Sequence, residues 1–154
     1  MLLMLLFAVA AMASGSQADA APLLKPAQIH NLRLLVREGR AEHRPQLLAI
    51  SAIDTAYAET LLTNKDIRDR DGRPLFSGVF GLIPGAWGLY PAQQRMPMIA
   101  ARSYYARAGV FHRRHPGYRA GKLAQLVMAE PWTQAYITFE SLARTLYLRY
   151  GTHP

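Results

Sequence analysis

From Gln46 to Leu62 the apolar residues crowd more than one face of any helix that the stretch could form. Leu48, Ile50, Ala52, Ile53, Ala56, Tyr57 and Leu61 leave little room for a solvated side. Such a segment reads as a central, mostly buried helix, begun at Pro45, where a missing N–H costs nothing. Near its end stands one carboxylate, Glu59. A carboxylate in a core-like segment is costly unless it is exposed, paired or held protonated.

Other segments fit around this helix. Gln28 to Gly39 carries Ile29, Leu32, Leu35 and Val36 at helical spacing, with Gly39 suited to close it. Pro97 opens a helix through about Ala108, with Arg102 and Arg107 expected in solvent, as is Lys122 further on. Gly109 to Gly117 reads as a basic loop. Leu123 to Met128 predicts a short helix, and Pro131 starts a last one through about Tyr150. Asn64 to Ser77 has the turn chemistry of Asp66, Asp69, Asp71, Gly72 and Pro74. No convincing alternating pattern signals a strand, so the expected fold is mainly α.

Residues 1–20 read differently. Met1 to Met12 is almost wholly apolar, and Ala18-Asp19-Ala20 resembles a cleavage site, the pattern of a signal peptide. The run is shorter than the roughly 20 apolar residues that a spanning helix needs, so no lasting membrane insertion is expected. It also lacks a preceding Lys or Arg, and a buried N-terminal helix is the competing reading. A secreted domain over residues 28–150 is the expectation.

The 154-residue chain has no cysteine, which removes thiol nucleophiles and Cys-based zinc sites. Its formal charge is +8, and 15 of its 18 basic residues are Arg. Loss of Asp19 with the leader would make it +9. Such a field attracts polyanions, although an Arg-rich composition alone would give the same count. Export argues against nucleic acid and for an anionic cell-wall polymer as partner.

On physical grounds Glu59 has two readings. Small neighbours such as Ala56 leave space for a ligand beside it, or it pairs with Lys65 or Arg68 as an ordinary helix-end acid. Asp66, Asp69 and Asp71 match part of a calcium loop but lack its closing Glu, so turn formation is the better reading. His112-Arg113-Arg114-His115 lacks ligand spacing. No metal or cofactor is expected.

The order Thr55-Ala56-Tyr57-Ala58-Glu59-Thr60-Leu61-Leu62-Thr63-Asn64, an Asp-rich loop, Ser77-Gly78-Val79-Phe80 and Trp87-Gly88 resembles secreted lysozyme-like domains of the lytic-transglycosylase type. Ala100-Ala101-Arg102-Ser103-Tyr104-Tyr105, Leu123-Ala124-Gln125-Leu126-Val127 and Tyr136 extend the resemblance over roughly residues 28–145. It implies a lysozyme-like helical domain whose central helix carries the catalytic acid, Glu59. It also implies cleavage of peptidoglycan glycan strands without a cofactor. Ser77, Gly78 and Phe80 then shape the cleft floor, Trp87 adds an aromatic surface, and Tyr136 faces the acid. A single Glu would protonate the leaving oxygen and then deprotonate the sugar's own 6-hydroxyl. Tyr57, Phe80 and Trp87 would raise its pKa as an apolar shell. The chain departs from the pattern at Gly81-Leu82-Ile83, where the family has Gln-Gln-Arg. The rivals are a non-catalytic, basic cell-wall or sugar-binding protein on the same fold, and an exported interaction protein with an unrelated helical fold.

Overall fold

In the computed structural model the chain is described over residues 22–129 and 134–152. The expected leader and Pro131 lie outside the described residues. The fold is mainly α, with 65% helix. Among the described residues six α-helices run in order: α1 Pro26–Ala41, α2 Gln46–Thr60, α3 Pro91–Gln94, α4 Pro97–Arg114, α5 Ala120–Met128 and α6 Gln134–Leu146. A π-helical turn, Tyr147–Gly151, follows α6.

The central position of α2 follows from its composition. Every residue from Leu48 to Ala56 is buried. It packs on α1, α4, α5 and α6 at once, which is how a helix without a polar side removes itself from water. Leu32, Leu35 and Val36 of α1 and Leu123 and Val127 of α5 supply matching apolar stripes.

Polar groups inside this core are mostly satisfied. The Tyr104 hydroxyl lies 2.6 Å from Ser51 Oγ and 3.1 Å from Thr55 Oγ1. Tyr105 donates to the Leu35 carbonyl at 2.8 Å. Burial pushes both phenols above their ordinary pKa.

Several expectations need correction. Residues 64–77 contain a small antiparallel hairpin, β1 Ile67–Arg68 and β2 Pro74–Phe76. Strands this short show no legible alternation. The expected loop from Gly109 is helical as far as Arg114. Cations in a last turn face the negative end of the helix dipole and support that extension. Arg102 and Arg107 are exposed as expected. Arg102 also bonds the buried Glu38 at 2.8 Å, and Arg107 reaches over the Trp87 ring at 5.8 Å. Lys122 is half-buried and donates to Gln125 at 2.7 Å.

The aspartates act as turn formers. Asp69 Oδ1 accepts N–H bonds from Asp71 at 2.9 Å and Arg73 at 2.8 Å. Asp66 pairs with Arg68 and Arg95. Gly78 is required where it stands. Its φ is +79°, and a Cβ there would lie 2.0 Å from the Gln94 carbonyl oxygen. Gly78→Ala will destabilise the domain by roughly 2–4 kcal/mol, as left-handed strain adds to a backbone clash. Urea denaturation measures this, and a loss below about 1 kcal/mol would mean that the turn moves freely.

Candidate functional site

Glu59 occupies the last turn of α2, where the helix surfaces. It is exposed, whereas the residues one to three turns earlier are not. Beyond the helix the backbone is unusual. Leu61 and Leu62 both adopt the left-handed conformation, with φ of +54° and +61°. For a residue bearing a Cβ this costs roughly 1–2 kcal/mol each. Two amides of α1 hold the pair in place. Gln28 Nε2 donates to the Leu61 carbonyl at 2.7 Å and Asn31 Nδ2 to that of Leu62 at 2.8 Å. The direction of the chain after Glu59 is therefore pinned by a helix that comes well before it in the sequence.

Two groups converge on Glu59 itself. The Tyr136 hydroxyl, on the first turn of α6, donates to Glu59 Oε1. From the other side comes the turn 77–82. A Cβ on Gly81, whose φ is +58°, would lie 3.5 Å from Glu59 Cβ. Thr60 fastens this turn by donating to the Val79 carbonyl at 2.7 Å. Ser77 and Leu82 close it with reciprocal backbone bonds of 2.8 and 2.9 Å. Helix α2, the turn and α6 thus bring residues 59, 81 and 136 together. Glu59 does not pair with Lys65 or Arg68 in the ion-pair network; Arg68 turns to Asp66 instead.

The remaining expected site residues take other places. Phe80 is fully buried, stacked on Tyr104 at 5.0 Å between centroids. Ser77 is also fully buried. Neither side chain reaches solvent, so their part is to build the turn rather than to touch a ligand. Gly78 serves the same turn through its backbone. Trp87 is half-buried with a φ of +57°, and its ring lies against Phe80 at 5.5 Å and Tyr104 at 6.0 Å. The aromatic contacts of Phe80 and Trp87 are with each other and Tyr104. Of the rings expected around Glu59, Tyr136 bonds to it, and Tyr57 sits edge-on to Phe139 at 5.4 Å.

One acid escaped the sequence analysis. Asp54, in the middle of α2, is fully buried, and neither carboxyl oxygen has a hydrogen-bond partner. Burial, with the nearby Glu140 carboxylate as a second cause, raises its pKa to about 8. Glu140 itself, on α6, is well supplied. It accepts from the Gly121 N–H at 3.1 Å and from Arg119 at 3.3 Å, and Arg144 lies 3.7 Å away. Asp54 and Glu140 therefore mark the same α2–α6 interface that, nearer the surface, holds Glu59 against Tyr136. The signal was present in the sequence, as an acid between Ile53 and Thr55-Ala56 on the most apolar helix.

Among the described residues no group of three or more His, Asp or Glu side chains could hold a metal ion. No protein-family model matches the chain, and comparison with curated proteins and with solved structures finds no match.

Proposed function

We propose that this protein cleaves the glycan strands of peptidoglycan, with Glu59 as the general acid and then the general base. The observation that carries this reading is the hydrogen bond from Tyr136 to Glu59 across the α2–α6 interface. It links the two residues that the resemblance to lytic transglycosylases names as the acid and the aromatic facing it. The Tyr136 hydroxyl fixes the carboxyl group in place, and a carboxyl group so oriented can exchange a proton with a glycosidic oxygen. Gly81 contributes only backbone at this point, packed close against the Glu59 stem.

In this mechanism Glu59 protonates the leaving oxygen as the glycosidic bond breaks. The same carboxylate then removes a proton from the sugar's 6-hydroxyl, which closes an internal ring, or from a water. Mass spectrometry of purified wall sacculi incubated with the protein distinguishes these outcomes. Anhydro ends support the transglycosylase reading and reducing ends a hydrolase. Intact glycan strands would overturn both.

A second reading has its own support. Gly81 brings no side chain to orient sugar or water, and Glu59 is exposed rather than sunk in an apolar shell. Both features suit a non-catalytic wall-binding protein. Under either reading the +8 chain should bind the wall partly through charge, which salt screens over about 8 Å at physiological ionic strength. Retention on insoluble wall material will fall as salt rises from about 50 to about 500 mM. Unchanged retention would make the Arg excess incidental to binding.

A further inference from the structure

Helices α2 and α6 pack along a seam that holds two contacts between titratable groups. Nearer the surface, Glu59 of α2 accepts the Tyr136 hydroxyl of α6. Deeper in, Asp54 of α2 lies near Glu140 of α6. Asp54 precedes Glu59 by five residues, a rise of about 7.5 Å, and Glu140 follows Tyr136 by four, about 6 Å. The two contacts are neighbours on one antiparallel helix pair. A shift of α6 at the deep contact therefore reaches the other, because packed helices transmit displacement.

The two deep acids are unequally provided for. Glu140 accepts from the Gly121 N–H and from Arg119, with Arg144 beside it. Gly121 lets α5 press close to α6 here, since a Cβ on it would come within 2.7 Å of the Tyr136 carbonyl oxygen. Asp54 is fully buried, and no hydrogen bond reaches either of its oxygens. From α4 the nearest titratable group is the Tyr104 phenol, which burial keeps neutral and which is engaged with Ser51 and Thr55. The buried acid of α1, Glu38, is bonded to Arg102. The turn after α6 brings the buried Tyr147. Among the described residues no cation pairs with Asp54, because Arg119 and Arg144 both turn to Glu140.

This seam suits a protonated Asp54 and penalises an ionised one. An interior carboxylate without donor or cation is costly, and Glu140 adds a like charge across the seam. Parting the seam relieves both costs by admitting water. Helix α2 is held on its other sides by α1, α4 and α5, so α6 is the element that yields. Burial and Glu140 raise the pKa of Asp54 to about 8, which places the change just above neutral pH.

We infer that Asp54 is a proton-operated latch on the candidate site: protonated, it lets α6 seat and Tyr136 hold Glu59, and ionised, it parts α6 from α2 and frees Glu59 from Tyr136. Asp54 acts here as a positioning residue through α6 and touches no ligand. The inference concerns the contact itself and holds whether Glu59 cleaves a glycan or only helps to bind one.

NMR on the full chain, with Asp and Glu carboxyl carbons labelled, follows two signals from about pH 6 to about pH 9.5. The Asp54 carboxyl carbon reports ionisation, and the NOE between the Tyr136 ring and the Glu59 side chain reports the contact. In the wild type both should change together with a midpoint near pH 8, while circular dichroism stays native. Asp54→Asn and Asp54→Leu cannot ionise, and each should keep the NOE throughout. A merely structural Asp54 would alter stability without producing this step. An NOE that survives ionisation of Asp54 in the wild type would overturn the inference, and that titration decides even if neither variant folds. So would an NOE lost at the same pH in a folded variant, which would assign the step to the Tyr136 phenol itself. Loss of circular dichroism at the same midpoint would also overturn it, since the whole fold rather than the seam would then be opening.

Discussion

Asp54→Asn will flatten the pH dependence of stability between pH 5 and pH 9. The carboxyl of Asp54 is fully buried without a hydrogen-bond partner, and its pKa is raised from 3.8 to about 8. In the unfolded chain it ionises near pH 4. From there to pH 8 the folded state holds a proton that the unfolded state has lost, so stability falls as pH rises. Below pH 4 both states are protonated, and above pH 8 both are ionised, with the full cost then in place. Between pH 5 and pH 9 the wild type should lose on the order of 4 kcal/mol through this group. The asparagine variant should lose little by this route. At pH 9 it should be the more stable protein by a few kcal/mol, less the roughly 1–3 kcal/mol that a buried amide without partners costs. Urea melts of both proteins at pH 5, 7 and 9 read the effect. Parallel curves would mean that water or movement of α6 already satisfies Asp54.

Under the proposed mechanism, Glu59→Gln will reduce glycan cleavage by about 10²–10⁴-fold while the fold persists. Gln retains the shape of the side chain and can still accept the Tyr136 hydroxyl, but it carries no proton to transfer. Glu59 is exposed, so the substitution leaves no buried charge without its partner. Tyr136→Phe should act more mildly. It deletes one hydrogen bond to an ionisable group, worth about 1.5–3 kcal/mol, and should lower turnover about 10- to 100-fold. The ring remains, so the packing of α6 should hold. Muropeptide release by mass spectrometry ranks wild type, Tyr136→Phe and Glu59→Gln in that order. Equal release by wild type and Glu59→Gln would remove Glu59 from the chemistry. Release by none of the three would favour the binding reading, with Gly81 as its structural cause.

Most of the helical framework was legible, because it obeys local rules. Pro45 and Pro97 flank or open helices at the expected points, and α2 begins at Gln46 as its apolar run implies. The boundary at Ala108 was missed by six residues, since a run of His and Arg resembles a loop in composition yet suits a helix C-terminus. The hairpin was missed because its strands have two and three residues, with Ile67, Leu75 and Phe76 left exposed. The position of Glu59 at a helix end was legible as well. Its partner came from the resemblance, since nothing local relates residue 59 to residue 136.

By itself the sequence determined that this chain is mainly helical, that α2 must be enclosed, and that one acid emerges where that helix ends. Periodicity and proline positions act over a few residues, and they decide such matters whatever surrounds them. Tertiary structure alone decided which groups meet. It set Tyr136 on Glu59, turned Phe80 and Ser77 inward, and gave Arg102 the buried Glu38. It also left Asp54 without a partner, near Glu140. These outcomes depend on how helices far apart in the chain pack, and the energy that selects one packing is spread over the whole core rather than held in any local pattern.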